Sequence, residues 1–426
     1  MTELRAPFGT SALALANLLR RSGALRHPVR AWDAARRGLP GAIALAAARH
    51  PLHPALWRDD EVIAAEALDA EIRVLAPDLG LAPGSRIGVR SDGGIGFVVT
   101  LAAVLTAGAD AVPLGPRLSE ADIASLELDD TLDPRRAHGT PSRPAMPAGR
   151  LLLLTTGTTG SPVATTRGRL GIRALAQLAD ADRRIDQPAG PLLLLAPPDH
   201  GHGLSALAGA LVRGVPVVLG SGRTPREQAE LAARHRPASV GGVPVQLARL
   251  LDAGGLGDVR HLVAGSSPLT ASLRARLEAQ GAMVHDGFGA TGTGTVAIDG
   301  NPLAGVRLRR AGDGTLEVRS PLGGNRWIAT GDRVEFADGR LLPIGRAGAL
   351  VDSGGELVDP TRLHRLLMAH DGVADARVDV VDDDLLGSVL HARVDADPAI
   401  EAGVRATIAA ALGRAEHPRR LEFGPL

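Results

Sequence analysis

Chemistry is concentrated first in Thr155-Thr156-Gly157-Thr158-Thr159-Gly160-Ser161-Pro162, which follows four leucines at 151–154. The leucine run reads as a buried strand, and a Thr/Gly cluster leaving such a strand exposes consecutive backbone N–H groups and hydroxyls toward an anion. That is phosphate-loop chemistry. Such loops commonly add a lysine as a mobile point charge on the phosphoryl oxygens, yet all 47 basic residues of this chain are arginine. The segment therefore points to a nucleotide and, at the same time, to an unusual way of handling its phosphates.

Composition removes other chemistries. The chain has no cysteine, which excludes disulfides, thiolate nucleophiles and thiolate metal sites and fits a reducing compartment. With 47 acids against 47 bases, bulk charge predicts neither nucleic acid nor membrane as a partner, and the pairs Arg20-Arg21, Arg36-Arg37 and Arg183-Arg184 read as solvated faces. No apolar run approaches the roughly 18 to 20 residues that span a bilayer. The segment 11–19 reads as a helix capped near Ser11; it ends in Arg20-Arg21 without a small-residue cleavage site, unlike a signal peptide. A cytoplasmic protein is the expectation.

The elements that must carry these residues follow from length and periodicity. A chain of 426 residues exceeds one ordinary core, and two or three domains are expected. Helix-like and strand-like segments alternate up to residue 145: a helix over 61–75 stopping before Pro77, a strand over 86–90, an apolar helix over 98–107 and a strand over 111–114. A Pro/Arg-rich loop spans 133–147, after which the leucine strand opens a second series. Its strands are 192–196, 215–219, 239–243 and 261–264, and its helices are 204–212, 225–234 and 269–280. This rhythm predicts an α/β fold, two βαβ-type subdomains with parallel sheets and helices on both faces. From residue 300 the Asp-Gly and Gly-Gly turns predict antiparallel hairpins and a small barrel. A compact α+β module closes the chain, with helices over 361–370 and 402–412 and strands over 376–381 and 389–394.

Further segments follow the Thr/Gly turn in a fixed order: Pro197-Pro198-Asp199-His200-Gly201-His202-Gly203-Leu204, Gly265-Ser266-Ser267-Pro268-Leu269, Asp286-Gly287-Phe288-Gly289-Ala290-Thr291-Gly292, Thr330-Gly331-Asp332 and Gly345-Arg346. Together they resemble the adenylate-forming (AMP-binding) superfamily of acyl-CoA synthetases, peptide-synthetase adenylation domains and luciferases. The resemblance implies a large AMP-binding domain over 1–344 and a small domain over 345–426. It also implies ATP or AMP as the nucleotide, with Thr155, Thr156, Gly157, Thr158, Thr159 and Gly160 closing over the phosphates. His200 would lie beside the pocket for a carboxylic acid, while His202 reads as a hydrogen-bonded structural residue. Gly265 and Ser266 would bring backbone close to adenine, where a Cβ would obstruct. Phe288 and Gly289 would offer the purine an aromatic face, and Thr291 a hydroxyl to the α-phosphate. Asp332 would accept both ribose hydroxyls, and Arg346 would reach the same sugar.

Departures from the family pattern shape the expected function. The phosphate-loop lysine is replaced by Val163, the magnesium-binding glutamate after Thr291 by Gly292, and the hinge aspartate by Gly348. Residues 417–426 resemble the lead-in to the family's late catalytic lysine, whose segment is not among these 426 residues. Adenylyl transfer depends on positioned cations because charge spreads over oxygens in its transition state. The implied activity is that of an acyl-CoA-synthetase-like, AMP-forming acid–thiol or acid–amine ligase acting on a carboxylic acid or its acyl adenylate; a narrower reading keeps only the half-reaction that transfers the acyl group to coenzyme A, a carrier protein or an amine. The alternative is a catalytically reduced homologue that binds a nucleotide, acyl ligand or partner. Mg2+ is implied by the family but lacks its usual glutamate here.

Overall fold

The computed structural model describes residues 3–7, 9–14, 36–142, 148–156, 162–166, 172–186, 190–267, 269–346 and 350–424. Its largest sheet runs in the order Asn301–Pro302, Gly294–Ile298, Met283–Ala290, His261–Gly265, Ser239–Gly242, Leu192–Leu194, Val217–Leu219, Pro54–Arg58, Glu61–Ala64. The central pairings are parallel, and antiparallel hairpins close both edges. The leucines at 192–195 show why a near-continuous apolar run is needed. Leu192 and Leu194 face one core with the helices Leu39–Arg49, Ile95–Thr106 and Gly201–Arg213, while Leu193 and Leu195 face another with Pro225–His235, Pro244–Asp252 and Ala271–Glu278. A strand buried on both faces has no position to give to water.

Four expectations need correction. Residues 61–64 are an edge strand paired with Pro54–Arg58, and the helix is Ala65–Asp78. Pro77 lies inside its last turn. The Arg73 carbonyl that a proline N–H cannot serve accepts instead from the Ser142 N–H at 3.1 Å and from its hydroxyl at 2.6 Å, which removes the usual penalty. The leucine strand, Leu152–Thr156, does not open the second sheet; it pairs antiparallel with Pro162–Thr166, and Leu151 bridges to Ala111 beside the small parallel sheet of Asp110–Leu114, Arg86–Arg90 and Asp130–Leu132. The β-rich portion is an open sheet, not a barrel, in which Glu3–Arg5 pairs with Arg307–Arg310 and Thr315–Arg319, Trp327–Ala337 and Arg340–Arg346 follow. Its Asp338-Gly339 turn has φ 51° and 73°, the two left-handed residues of a type I′ hairpin. Of the helix expected over 11–19, residues 10–14 are helical and the rest lies outside the described residues.

Beyond residue 350 the chain builds its own sheet from Val351–Ser353, Glu356–Val358, Val373–Asp383, Gly387–Ala396 and Arg420–Phe423, covered by Pro360–Met368 and Glu401–Ala411. This lobe is held to the rest by charge. The Arg362 guanidinium donates to Asp122 Oδ1 at 2.6 Å and to Glu416 Oε2 at 2.9 Å, and these side chains are 18, 4 and 9% exposed. Removing the cation leaves two largely buried acids without that counterion. Arg362→Met is therefore expected to cost about 3 kcal/mol of stability, read as a lower melting temperature; an unchanged melt would show that the seam contributes nothing.

Candidate active site

At the seam between the lobes lies a cavity of about 150 Å³ that both His200 and Thr291 line, facing Glu356, Leu357, Val358 and Arg362 of the carboxy-terminal lobe. His200 occupies the residue before the helix Gly201–Arg213, at the end of a turn that requires glycine: a Cβ on Gly203 would stand 2.0 Å from the Pro197 carbonyl oxygen. Nearly half of the His200 side chain, 46%, stays open. The imidazole nonetheless lies deep among protein atoms, and desolvation lowers its pKa; Asp199 opposes this and Arg117 reinforces it. Neutral imidazole is then the resting state.

Asp199 and Arg117 are functional candidates that sequence reading did not single out. Asp199 is buried; its Oδ1 accepts from the Ser91 hydroxyl at 2.9 Å, while Oδ2 makes no hydrogen bond and lies 3.5 Å from His200 Nε2. Its position inside the 197–204 motif was the available signal. Arg117, ion-paired to Glu356 across the seam, carries no motif, so nothing in the sequence could have marked it.

His202 differs from expectation. Its Nε2 is buried without a hydrogen bond inside the protein, and burial pushes its pKa down to about 4. The ring instead packs on Gly265, where a Cβ would meet Cε1 and Nδ1 at 2.8 Å. Glycine there is required by an imidazole of this chain itself. Ser266 follows with φ 68°, a left-handed conformation costing a non-glycine residue roughly 1–2 kcal/mol.

Gly265 pairs in register with Gly287 on the adjacent strand Met283–Ala290. Phe288 on that strand packs in part on the core of the β-rich portion, and the pairing with Gly294–Ile298 shifts just after it. Gly289 fits this bulge because a Cβ would stand 2.3 Å from the Gly294 carbonyl oxygen. Burial, the largest cause, pushes the nearby Asp286 carboxyl up to about 6; Asp299 adds to the rise and Arg274 opposes it.

Asp332 is 8% exposed and stands directly opposite Arg346 in the antiparallel register. Its N–H donates to the Thr330 hydroxyl at 3.2 Å. Neither it nor Phe288 lines the seam cavity. Backbone pairing sets Thr155 opposite Val163 and Thr156 opposite Pro162 at the mouth of the Thr/Gly turn. Gly157, Thr158, Thr159 and Gly160 lie outside the described residues, as does Gly348.

Among the described residues no three His, Asp or Glu side chains converge as a metal cluster, and Gly292 follows Thr291. A magnesium ion held mainly by substrate phosphates needs no such cluster. No helix of the described residues is long and apolar enough to cross a membrane.

The pattern of the AMP-binding enzyme family matches residues 127–357. A probable 2-succinylbenzoate–CoA ligase of Mycobacterium tuberculosis (strain CDC 1551 / Oshkosh) is 31% identical over 307 residues, covering 64% of this chain and 78% of the relative. A malonyl-CoA ligase, solved as a ternary product complex with methylmalonyl-CoA and AMP, is 28% identical and superposes with TM-score 0.72 over 87% of this chain and 96% of its own. The o-succinylbenzoate CoA synthetase of Bacillus subtilis, a double mutant bound to a product analogue, shares the fold with TM-score 0.77 at 20% identity, over 90% of this chain and 94% of its own. A large α/β portion with the hairpin of Leu152–Thr156 and Pro162–Thr166, followed by a small lobe that meets His200 and Thr291 at one cavity, is the architecture shared with these relatives, and this chain belongs to the AMP-binding enzyme family.

Proposed function

We propose that the protein transfers an acyl group from an acyl adenylate to a thiol or amine acceptor at the seam between its lobes. The observation that carries this reading is the shared cavity: His200 and Thr291, distant in sequence, line one space together with Glu356 and Arg362 of the small lobe. In this reading the large domain spans 1–344 and the small one 345–426. The adenosine lies along Met283–Ala290, with Phe288 and Gly289 at the purine, Gly265 and Ser266 beside it, and Asp332 and Arg346 on the ribose. Thr291 donates to the α-phosphate, and residues 155–160 hold the phosphates of ATP when it binds. His200 stands at the acyl carbon.

Attack by the acceptor forms the new C–S or C–N bond, and the C–O bond to phosphate breaks with its electron pair leaving on AMP. Two departures favour transfer over adenylation. Val163 stands where the family pattern has a cation, and no other lysine exists among the 426 residues to replace it. The purely binding alternative gains no support from the relatives, which are named as ligases.

The test supplies the adenylate. Benzoyl and 2-succinylbenzoyl adenylates, the second suggested by the name of the mycobacterial relative, are offered with pantetheine or 2-phenylethylamine, and AMP release is followed with product. Acyl transfer well above the uncatalysed rate is expected; release of AMP only by hydrolysis, or none, would overturn the reading.

A further inference from the structure

The seam cavity has a chemistry that selects among acceptors. Four carboxylates line it, Asp122, Asp199, Glu356 and Glu416, against two guanidiniums, Arg117 and Arg362. Its remaining wall is largely apolar, with Leu153, Leu154, Leu357 and Val358 among its residues. Asp199 has one oxygen fixed by Ser91 and the other bare, 8% exposed overall, beside His200 Nε2. The room for that bare oxygen comes from Gly115, where a Cβ would stand 2.5 Å from it.

We infer that the acceptor is a primary amine and that His200, held by Asp199, takes the protons it must lose. This rests on the acyl-transfer reading above. The excess of carboxylates favours a cationic acceptor, an ammonium, over a neutral or anionic one. A thiol, with a pKa near about 8.5, sheds a single proton and is strongly nucleophilic even at a few per cent thiolate. An ammonium, near about 10, cannot attack until it has lost one proton, and the nitrogen loses a second as the amide forms. The imidazole accepts each in turn on the nitrogen that does not face Asp199 and, being half open to the cleft, passes it to water. The nitrogen lone pair forms the C–N bond, the C–O bond to phosphate breaks, and its pair departs on AMP; ammonium and acyl adenylate become amide, AMP and two protons. Asp199 stabilises each transient imidazolium and is a positioning residue. Its distance to Nε2, 3.5 Å, is the loose geometry common in a site without substrate.

Asp199→Asn tests this. Using the adenylate that gives the faster transfer above, wild type is expected to favour 2-phenylethylamine over pantetheine in kcat/KM. The variant should lose about 10²-fold toward the amine and distinctly less toward the thiol, with an unchanged melting temperature reporting that the protein is folded. The acid limb of the amine pH profile should move to lower pH, because the Asp199 charge raises the His200 pKa and Arg117 already opposes it; a merely structural role would not move that limb. Ser91→Ala, which loosens the carboxylate, should show a smaller loss of the same kind. Transfer to pantetheine in preference to the amine, or equal losses toward both acceptors, overturns the amine assignment and leaves acyl transfer standing. Transfer to neither acceptor overturns both.

Discussion

Asp332→Ala is expected to weaken AMP binding by about 10²-fold, measured by calorimetry. Two ribose hydroxyls donating to one ionised carboxylate are charge-assisted bonds worth about 1.5–3 kcal/mol each, and each 1.4 kcal/mol is about tenfold in affinity. Asp332 is 8% exposed, so water competes poorly for it, and the lower end of that range for the pair, about 3 kcal/mol, already corresponds to about 10²-fold. Asp332→Asn keeps one acceptor oxygen and should fall between. The backbone is not at risk, because the Asp332 N–H on Thr330 and the register with Arg346 do not depend on the side chain. Equal affinity in wild type and the alanine variant, with unchanged melting, would remove adenosine from this strand pair.

The second large effect separates the two halves of the family's reaction. Carboxylate-dependent exchange of pyrophosphate into ATP is expected to be about 10²–10³-fold slower than transfer from a supplied adenylate, since one positioned stabiliser of transition-state charge is worth about that much in rate and Val163 stands where the family pattern has its phosphate-loop cation. Val163→Lys should recover part of the deficit, about tenfold or more. The substitution lies opposite Thr155 in the hairpin register, within reach of the segment that would hold the phosphates. Exchange as fast as transfer in wild type would mean that arginines manage the polyphosphate unaided.

Much of the site was legible because it is written in backbone chemistry. Gly203 and Gly289 stand where any Cβ would collide with a carbonyl, and a glycine required by sterics leaves a local signature. The order of motifs likewise marked His200 and Thr291 before their shared cavity was known. Gly265 reads from sequence as a close approach of backbone to adenine, whereas the neighbour that a Cβ would meet is His202, a contact between segments that no single window contains.

What the sequence determined alone is the strand and helix alternation of the 192–280 series, the turn chemistry and the absence of lysine, because each depends on residues within a few positions of one another. Periodicity could not decide that residues 61–64 pair as an edge strand, or that Ser142 would serve the carbonyl freed by Pro77. Only the tertiary structure set Asp199 against His200 with one oxygen bare, and joined Arg117 to Glu356 and Arg362 to Asp122 across the seam. Charges 239 or 240 residues apart meet there because two independent cores dock, and docking depends on whole surfaces whose complementarity no local pattern records.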